Sequence, residues 1–202
     1  MTSSKSFAYN RRDFLKIIGI PLGGAVAGWG AVSVAKEASP ALLRPPGAEG
    51  EEAFLAACIR CGLCVEACPY DTLRPAPASA AAAMGTPYLA PRETPCYLCQ
   101  NYGKMRCIAA CPTGALQPVE EKAAVRMGTA VINQSTCLAW NGIVCRACWH
   151  ACPFPDAAIE LDLRGRPIVH TNACVGCGIC DHVCLTDPGS IAIVPAAVEE
   201  KV

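Results

Sequence analysis

The run Cys58-Ile59-Arg60-Cys61-Gly62-Leu63-Cys64-Val65-Glu66-Ala67-Cys68-Pro69 spaces four thiols as C-x2-C-x2-C-x3-C-P. Three soft donors at i, i+3 and i+6 can wrap one face of a compact inorganic core. The fourth, redirected by proline, is placed to reach a neighbouring one. This is the spacing of a [4Fe–4S] ligand motif. Three further quartets follow: Cys96, Cys99, Cys107, Cys111; Cys137, Cys145, Cys148, Cys152; and Cys174, Cys177, Cys180, Cys184. They account for all 16 cysteines. Four quartets imply four [4Fe–4S] clusters, and a chain carrying four such clusters is read as an electron carrier.

Composition supports a fold fixed by ligation. Aromatic residues make up only 6% of the 202, too few for a conventional core of this length, so bound clusters must staple the structure. Of 17 basic and 17 acidic residues, four and one fall within residues 1–35, which leaves the remainder at net −3. With no basic stripe, a nucleic-acid partner is excluded. There is no glycine-rich dinucleotide fingerprint, and neither a flavin nor a molybdopterin site is legible. The chain is therefore read as a carrier and not as an enzyme in its own right.

Asn10-Arg11-Arg12-Asp13-Phe14-Leu15-Lys16 precedes a mildly apolar stretch from Ile17 to Ala35 that is rich in glycine and alanine and interrupted by Pro21. Paired Arg11 and Arg12 ahead of such a stretch resemble a twin-arginine export signal, with Ser33-Val34-Ala35 as a cleavage site. The alternative is an uncleaved anchor, since about 20 apolar residues span a bilayer. An exported, cysteine-rich chain would ordinarily suggest disulfides. The twin-arginine translocase, however, carries proteins already folded, as a cluster assembled in the cytoplasm requires. Closely repeated thiols also make an ambiguous disulfide framework. Zinc fits poorly, because a third close cysteine and a trailing Cys-Pro are not zinc-finger spacing.

The quartets begin at 58, 96, 137 and 174, a repeat of roughly 40 residues, and three of them end in Ala-Cys-Pro. The expected class is α+β, with tandem bacterial-type 2[4Fe–4S] ferredoxin modules. Ile159–Leu163 and Ile168–His170, flanking Arg164-Gly165, are predicted to form a hairpin, and Thr129–Ile132 a strand. Residues 36–52 are read as an extended, mobile lead-in. Ser79–Met84 is either a short helix or a linker, and Glu120–Met127 has helical character.

In two-cluster ferredoxins the fourth cysteine of each motif serves the other motif's cluster, so motifs must pair, either sequentially or nested. Motifs one and four share the regular x2, x2, x3 form, whereas motifs two and three each contain a seven-residue gap. Pairing like with like predicts the nested order. Its ligand sets are Cys58/Cys61/Cys64/Cys184, Cys174/Cys177/Cys180/Cys68, Cys96/Cys99/Cys107/Cys152 and Cys137/Cys145/Cys148/Cys111. The corresponding domains are 1–35 as signal or anchor and 36–52 as lead-in. Residues 53–73 plus 166–194 form one module, 74–165 the other, and 195–202 the tail.

From Arg44-Pro45-Pro46-Gly47-Ala48 to Ile191-Ala192-Ile193-Val194 the chain resembles the NapG/MauM ferredoxin-type proteins. The segments Phe54–Cys64 and Ala67–Leu73 and the twin-arginine leader carry the likeness to the NapG branch. The resemblance implies a periplasmic protein, associated with the membrane through a polytopic, NapH-like quinol dehydrogenase. It would pass electrons to a downstream periplasmic redox protein, towards a nitrate reductase, or in the MauM branch into methylamine utilisation. Two other functions compete with this one: the iron–sulfur subunit of an exported molybdoenzyme, and a non-redox structural or assembly factor.

Other residues have plainer readings. His150 and His182 are read as half-exposed loop histidines, and His170 as structural. Trp140 and Trp149 are read as shields that keep water from clusters. Lys104, Arg106 and Arg146 are solvated charges or a docking patch. Gly62, Gly114, Gly176 and Gly178 are positions where the backbone closes on a cluster.

Overall fold

The structure, a computed structural model, describes residues 41–196. The export segment with Arg11 and Arg12, and the end of the tail, lie outside the described residues. Among the described residues no helix is long and apolar enough to cross a membrane.

The elements are short because the cysteine loops dictate the chain path. Helix Glu51–Ala57 leads into motif one, whose third thiol, Cys64, sits on the single turn Leu63–Glu66. Strand β1 (Leu73–Pro75) follows, then 3-10 turns at Ala78–Ala83 and strand β2 (Pro87–Leu89). Motif two carries helix Arg106–Ala109, and β3 (Gly128–Ile132) opens the second half. Motif three has helix Ala147–Ala151, β4 (Ile159–Leu161) pairs with β5 (Pro167–Val169), and motif four has helix Ile179–His182 before β6 (Ile191–Pro195). Pro75, Pro87, Pro167 and Pro195 sit at strand ends, where a missing N–H costs the ladder nothing.

Strand pairing divides the described chain into consecutive halves. β1 and β2 are antiparallel, from Leu73↔Leu89 to Pro75↔Pro87, and Leu43 bridges to Leu89 on the other edge. β3 and β6 are antiparallel over five pairs, from Gly128↔Pro195 to Ile132↔Ile191. The strand leading into motif three is thus tied to the strand leaving motif four, and motifs one and two share the first half. The described residues belong to one compact unit, in which the ladders run within 41–124 and within 128–196 rather than along the expected modules, 53–73 with 166–194 around 74–165. Similar spacing had linked motifs one and four, but the backbone ladders link each motif to its neighbour.

The mixed α+β class and the hairpin over Arg164-Gly165 are as expected, and so is the strand over Thr129–Ile132. Two local expectations are corrected, and a third, at Ser79–Met84, is resolved. Within 36–52 the described part is anchored, not mobile: Arg44 is 6% exposed and donates to Glu51 Oε2 at 2.7 Å, Thr86 Oγ1 at 2.8 Å and the Pro87 carbonyl at 3.0 Å. Its guanidinium also lies 4.9 Å from the centroid of the buried Phe54 ring, so a cation is held by a full set of partners. Glu51 and Glu52 already belong to a helix. Of Glu120–Met127, only Lys122–Ala124 turns, because the chain must extend into β3. At Ser79–Met84 the turns are broken at Ala81 (φ 48°).

One apolar cluster (Leu43, Phe54, Leu73, Leu89, Leu98, Met105, Leu116, Val125) continues through Val175 and Ile179 of the second half. It incorporates Cys107 and Cys177 as core residues. A second cluster (Ala130, Ala158, Ile159, Ile191) holds Cys174 and Cys180. The thiols are thus part of the core, as the low aromatic content requires.

Candidate iron–sulfur sites

Each quartet of sulfurs lines its own hollow, and each hollow takes three cysteines from one motif and the fourth from its sequence neighbour. Site A is lined by Cys58, Cys61, Cys64 and Cys111. Site B is lined by Cys96, Cys99, Cys107 and Cys68. Site C takes Cys174, Cys177, Cys180 and Cys152, and site D takes Cys137, Cys145, Cys148 and Cys184. The linings thus group the cysteines in sequential sets, unlike the nested sets expected from like-with-like spacing. Cys111 and Cys68 exchange within the first half, and Cys152 and Cys184 within the second. The physical reason is reach: after each fourth cysteine the chain enters a strand or turn of its own half, so that thiol meets only the neighbouring motif.

The electrostatics tell the same story. Burial first, then the negative charge that Cys58 and Cys111 would carry, pushes the Cys64 thiol up to about 11. Burial and Cys99 push Cys107 up to about 12, and Cys68 adds to the same effect. Burial and Cys137 raise Cys148 to about 11. Burial raises Cys180 well above the usual thiol value, with Cys177 and Cys174 contributing. Thiolates crowded together out of water need a cationic core among them to ionise. Cys111 and Cys184 are lowered despite their burial, because backbone N–H groups and the hydroxyls of Thr113 and Thr186 point at their sulfurs.

The donor sets fit a cluster better than the alternatives. All sixteen cysteines are free thiols in the structure. No group of three or more His, Cys, Asp or Glu among the described residues converges closely enough to hold a single metal ion, as zinc would need. At sites B, C and D the four cysteines of each set line one small hollow, about 20 to 30 Å³, so each set converges on a common centre. Site A is wider, about 310 Å³, and Cys61 there is exposed.

Local backbone explains the loops. The residue two after the first cysteine is left-handed in motifs one, two and four: Arg60 (φ 58°), Leu98 (φ 51°) and Gly176 (φ 71°). Arg60 is held there by donating to the carbonyls of Met84 and Ala82, both at 2.9 Å. Gly176 has a second constraint, since a Cβ would stand 2.5 Å from the Gly128 backbone. A Cβ on Gly178 would collide with Pro91. These two glycines serve close packing of chain on chain.

The two halves meet along residues 91–96. Cys96 N–H of site B donates to the Cys177 carbonyl of site C at 2.9 Å. Arg92 grips the end of helix Ile179–His182. Its guanidinium donates to the carbonyls of Asp181 (2.6 Å), Cys184 (3.0 Å) and Thr186 (2.6 Å). His182 Nδ1 lies 3.1 Å from the Arg92 carbonyl, so this histidine belongs to the seam. Sequence reasoning missed Arg92, because a lone arginine in a Pro-Arg-Glu-Thr-Pro turn carries no motif. Together with the nearness of Cys64 to Cys107 and of Cys148 to Cys180, the seam sets a spatial order A–B–C–D, that is, motifs one, two, four, three.

The remaining candidates fall as follows. Trp149 packs beside Cys148 and Cys152 and donates to Asp156 Oδ1 at 2.8 Å, while exposed His150 meets its ring edge-on at 4.8 Å. Trp140 donates to the Pro167 carbonyl under Arg166. His170 lies 3.2 Å from Glu160 across the β4–β5 hairpin. Lys104 and Arg106 belong to the first half and Arg146 to the second, with Arg106 over the Tyr102 ring at 5.6 Å.

Residues 57–115 match the family model of a 4Fe–4S dicluster domain. The matched unit spans motifs one and two together, in keeping with sequential exchange. The chain is 42% identical over 197 residues to the methylamine utilization ferredoxin-type protein MauM of Methylorubrum extorquens, covering 92% of this chain and 89% of the relative. It is 39% identical over 211 residues to the ferredoxin-type protein NapG of Escherichia coli, covering 98% and 91%. MauM of Paracoccus denitrificans is 40% identical over 196 residues, covering 92% and 87%.

Proposed function

From a chain that belongs to the family of NapG and MauM ferredoxin-type proteins, and whose sixteen cysteines line four separate hollows, we propose a four-cluster electron relay of the periplasm. Sites A to D, with the sequential ligand sets, would each hold one [4Fe–4S] cluster. When bound, such a cluster supplies reversible one-electron exchange at a potential tuned by its surroundings. The chain's own residues do the rest. The core residues Leu98, Met105, Val175 and Ile179 keep water from the middle of the series. The Cys96–Cys177 hydrogen bond fixes B beside C. Exposed Cys61, Ile59 and Leu63 open site A to a partner at one end. Exposed Leu185 lines site D at the other, next to the exposed Ile143 and Val144 that precede Cys145.

The proposed donor is a polytopic, NapH-like membrane quinol dehydrogenase, and the acceptor a downstream periplasmic redox protein. That acceptor would feed a nitrate reductase-type enzyme or a related respiratory chain, since relatives of both branches match about equally well. Export is assigned to the twin-arginine translocase through Arg11 and Arg12.

The observation that carries the proposal is the grouping of four thiols at each of four hollows. Anaerobic isolation from native membranes tests it. About 16 iron atoms per chain, four per cluster, with a polytopic quinol dehydrogenase attached, is the expected result. A tightly bound molybdopterin subunit would assign the chain to that enzyme instead. Clusters that no quinol can reduce in the presence of the membrane partner would leave a structural role.

A further inference from the structure

The four exchanged cysteines fall into two kinds. Two residues after Cys68 and Cys152, which serve the inner sites B and C, stand the aromatics Tyr70 and Phe154, and both line those hollows. Two residues after Cys111 and Cys184, which serve the outer sites A and D, stand Thr113 and Thr186. Thr186 Oγ1 lies 3.2 Å from Cys184 Sγ and Thr113 Oγ1 lies 3.8 Å from Cys111 Sγ.

At site D the hydroxyl sits in a local hydrogen-bond network. Ser190 N–H donates to Thr186 Oγ1 at 2.8 Å, and Ser190 Oγ lies 2.7 Å from the same oxygen. A ligating thiolate can only accept a hydrogen bond. In a bond to that thiolate Thr186 is therefore the donor, and the Ser190 hydroxyl is placed to donate in turn to Thr186. The Ser190 N–H also approaches the sulfur, at 3.4 Å, and Ser190 is buried, so this arrangement is shielded from water.

Resting on the four-cluster reading, we infer that Thr186, and more weakly Thr113, are tuning residues that raise the reduction potentials of the outer sites. One electron enters from an external reductant, no bond to the threonine breaks, and its proton stays on oxygen. The added negative charge on the cluster and its thiolates strengthens a hydrogen bond to sulfur, so the donor favours the reduced form. The aromatics at the corresponding inner positions supply no such hydroxyl from Cβ.

The test is an anaerobic dithionite titration of the full, reconstituted chain, followed by electron paramagnetic resonance, with iron counted first. T186V should leave the iron count unchanged and lower the midpoint of one cluster. At a fixed poise, its reduced-to-oxidised ratio should fall up to tenfold, about 59 mV for one electron. T186S, which keeps the hydroxyl, should restore it, and T113V should move a different cluster by less. An unmoved midpoint in fully loaded T186V, or an equal shift in T186V and T186S, would overturn the inference. If T186V fails to load site D, T113V at its exposed position decides: an unmoved site-A midpoint refutes the proposal. Too little iron in the unsubstituted chain would sink the four-cluster reading itself, before any titration.

Discussion

Replacing Arg92 by alanine should loosen the seam between the two halves and leave each half's cysteine hollows intact. Arg92 reaches the carbonyls of Asp181, Cys184 and Thr186 at 2.6, 3.0 and 2.6 Å, around the end of a helix, where exposed carbonyls favour a cation. A hydrogen bond to a charged group contributes about 1.5–3 kcal/mol when shielded. The Arg92 side chain is 40% exposed and its ion pair with Asp181 spans 3.9 Å, so solvent screens much of this and the pair itself adds little. Three discounted bonds give about 2–3 kcal/mol. For about 160 ordered residues that corresponds to a fall of roughly 4–12 °C in melting temperature. The assay is anaerobic thermal unfolding of the iron-loaded chain, followed by cluster absorbance. Arg74→Ala is the control: Arg74 pairs with Glu93 at the surface, where both partners are well exposed, and should shift the midpoint by less than about 0.5 kcal/mol equivalent. Arg92→Lys, which cannot fork to three carbonyls, should fall in between. If Arg92→Ala melted like the control, the seam would be held by apolar contact alone and this reasoning would be wrong.

Three further outcomes follow from the same geometry. Cys111→Ser should perturb the cluster held by motif one, and Cys184→Ser the cluster held by motif three, as read by the spectral signature lost in each single variant. If Cys184→Ser altered the motif-one signal instead, the nested order would be restored. Gly176→Ala forces a Cβ to 2.5 Å from the Gly128 backbone at φ 71°, and should cost about 2–4 kcal/mol in denaturant unfolding, combining left-handed strain with a shift of β3. The side chain and backbone N–H of Arg166, with the Arg164 N–H, hold the Asp162 carboxyl below its ordinary value of 3.8. A lowered carboxylate stabilises the fold above its unfolded value and loses that contribution as pH falls through the folded one. The Asp162 carboxyl carbon, followed by NMR, should titrate below 3.8, and Arg166→Ala should return it towards that value.

Much of the local structure is legible without coordinates. The Arg164-Gly165 hairpin follows from alternation around a turn, with Gly165 at φ 75° and Asp162 accepting from two N–H groups of the turn. Arg44 was not legible. Its place in the sequence suggests a mobile leader, and its burial depends on Glu51, Thr86 and Phe54 arriving from separate elements.

By itself the sequence determined which sixteen residues are the candidate ligands and how they fall into quartets, because thiol spacing along a loop is a local property that decides what one turn of chain can wrap. It also determined the family, since that likeness lies in contiguous motifs. Only the tertiary structure decided which quartets exchange their fourth cysteine, that sites B and C meet at the Cys96–Cys177 hydrogen bond, and that Arg92 closes the seam. Similar spacing in motifs one and four is a resemblance between segments and exerts no force between them. The five-pair ladder of β3 with β6, and the pairing of β1 with β2, are contacts, and contacts set which thiol can reach which hollow.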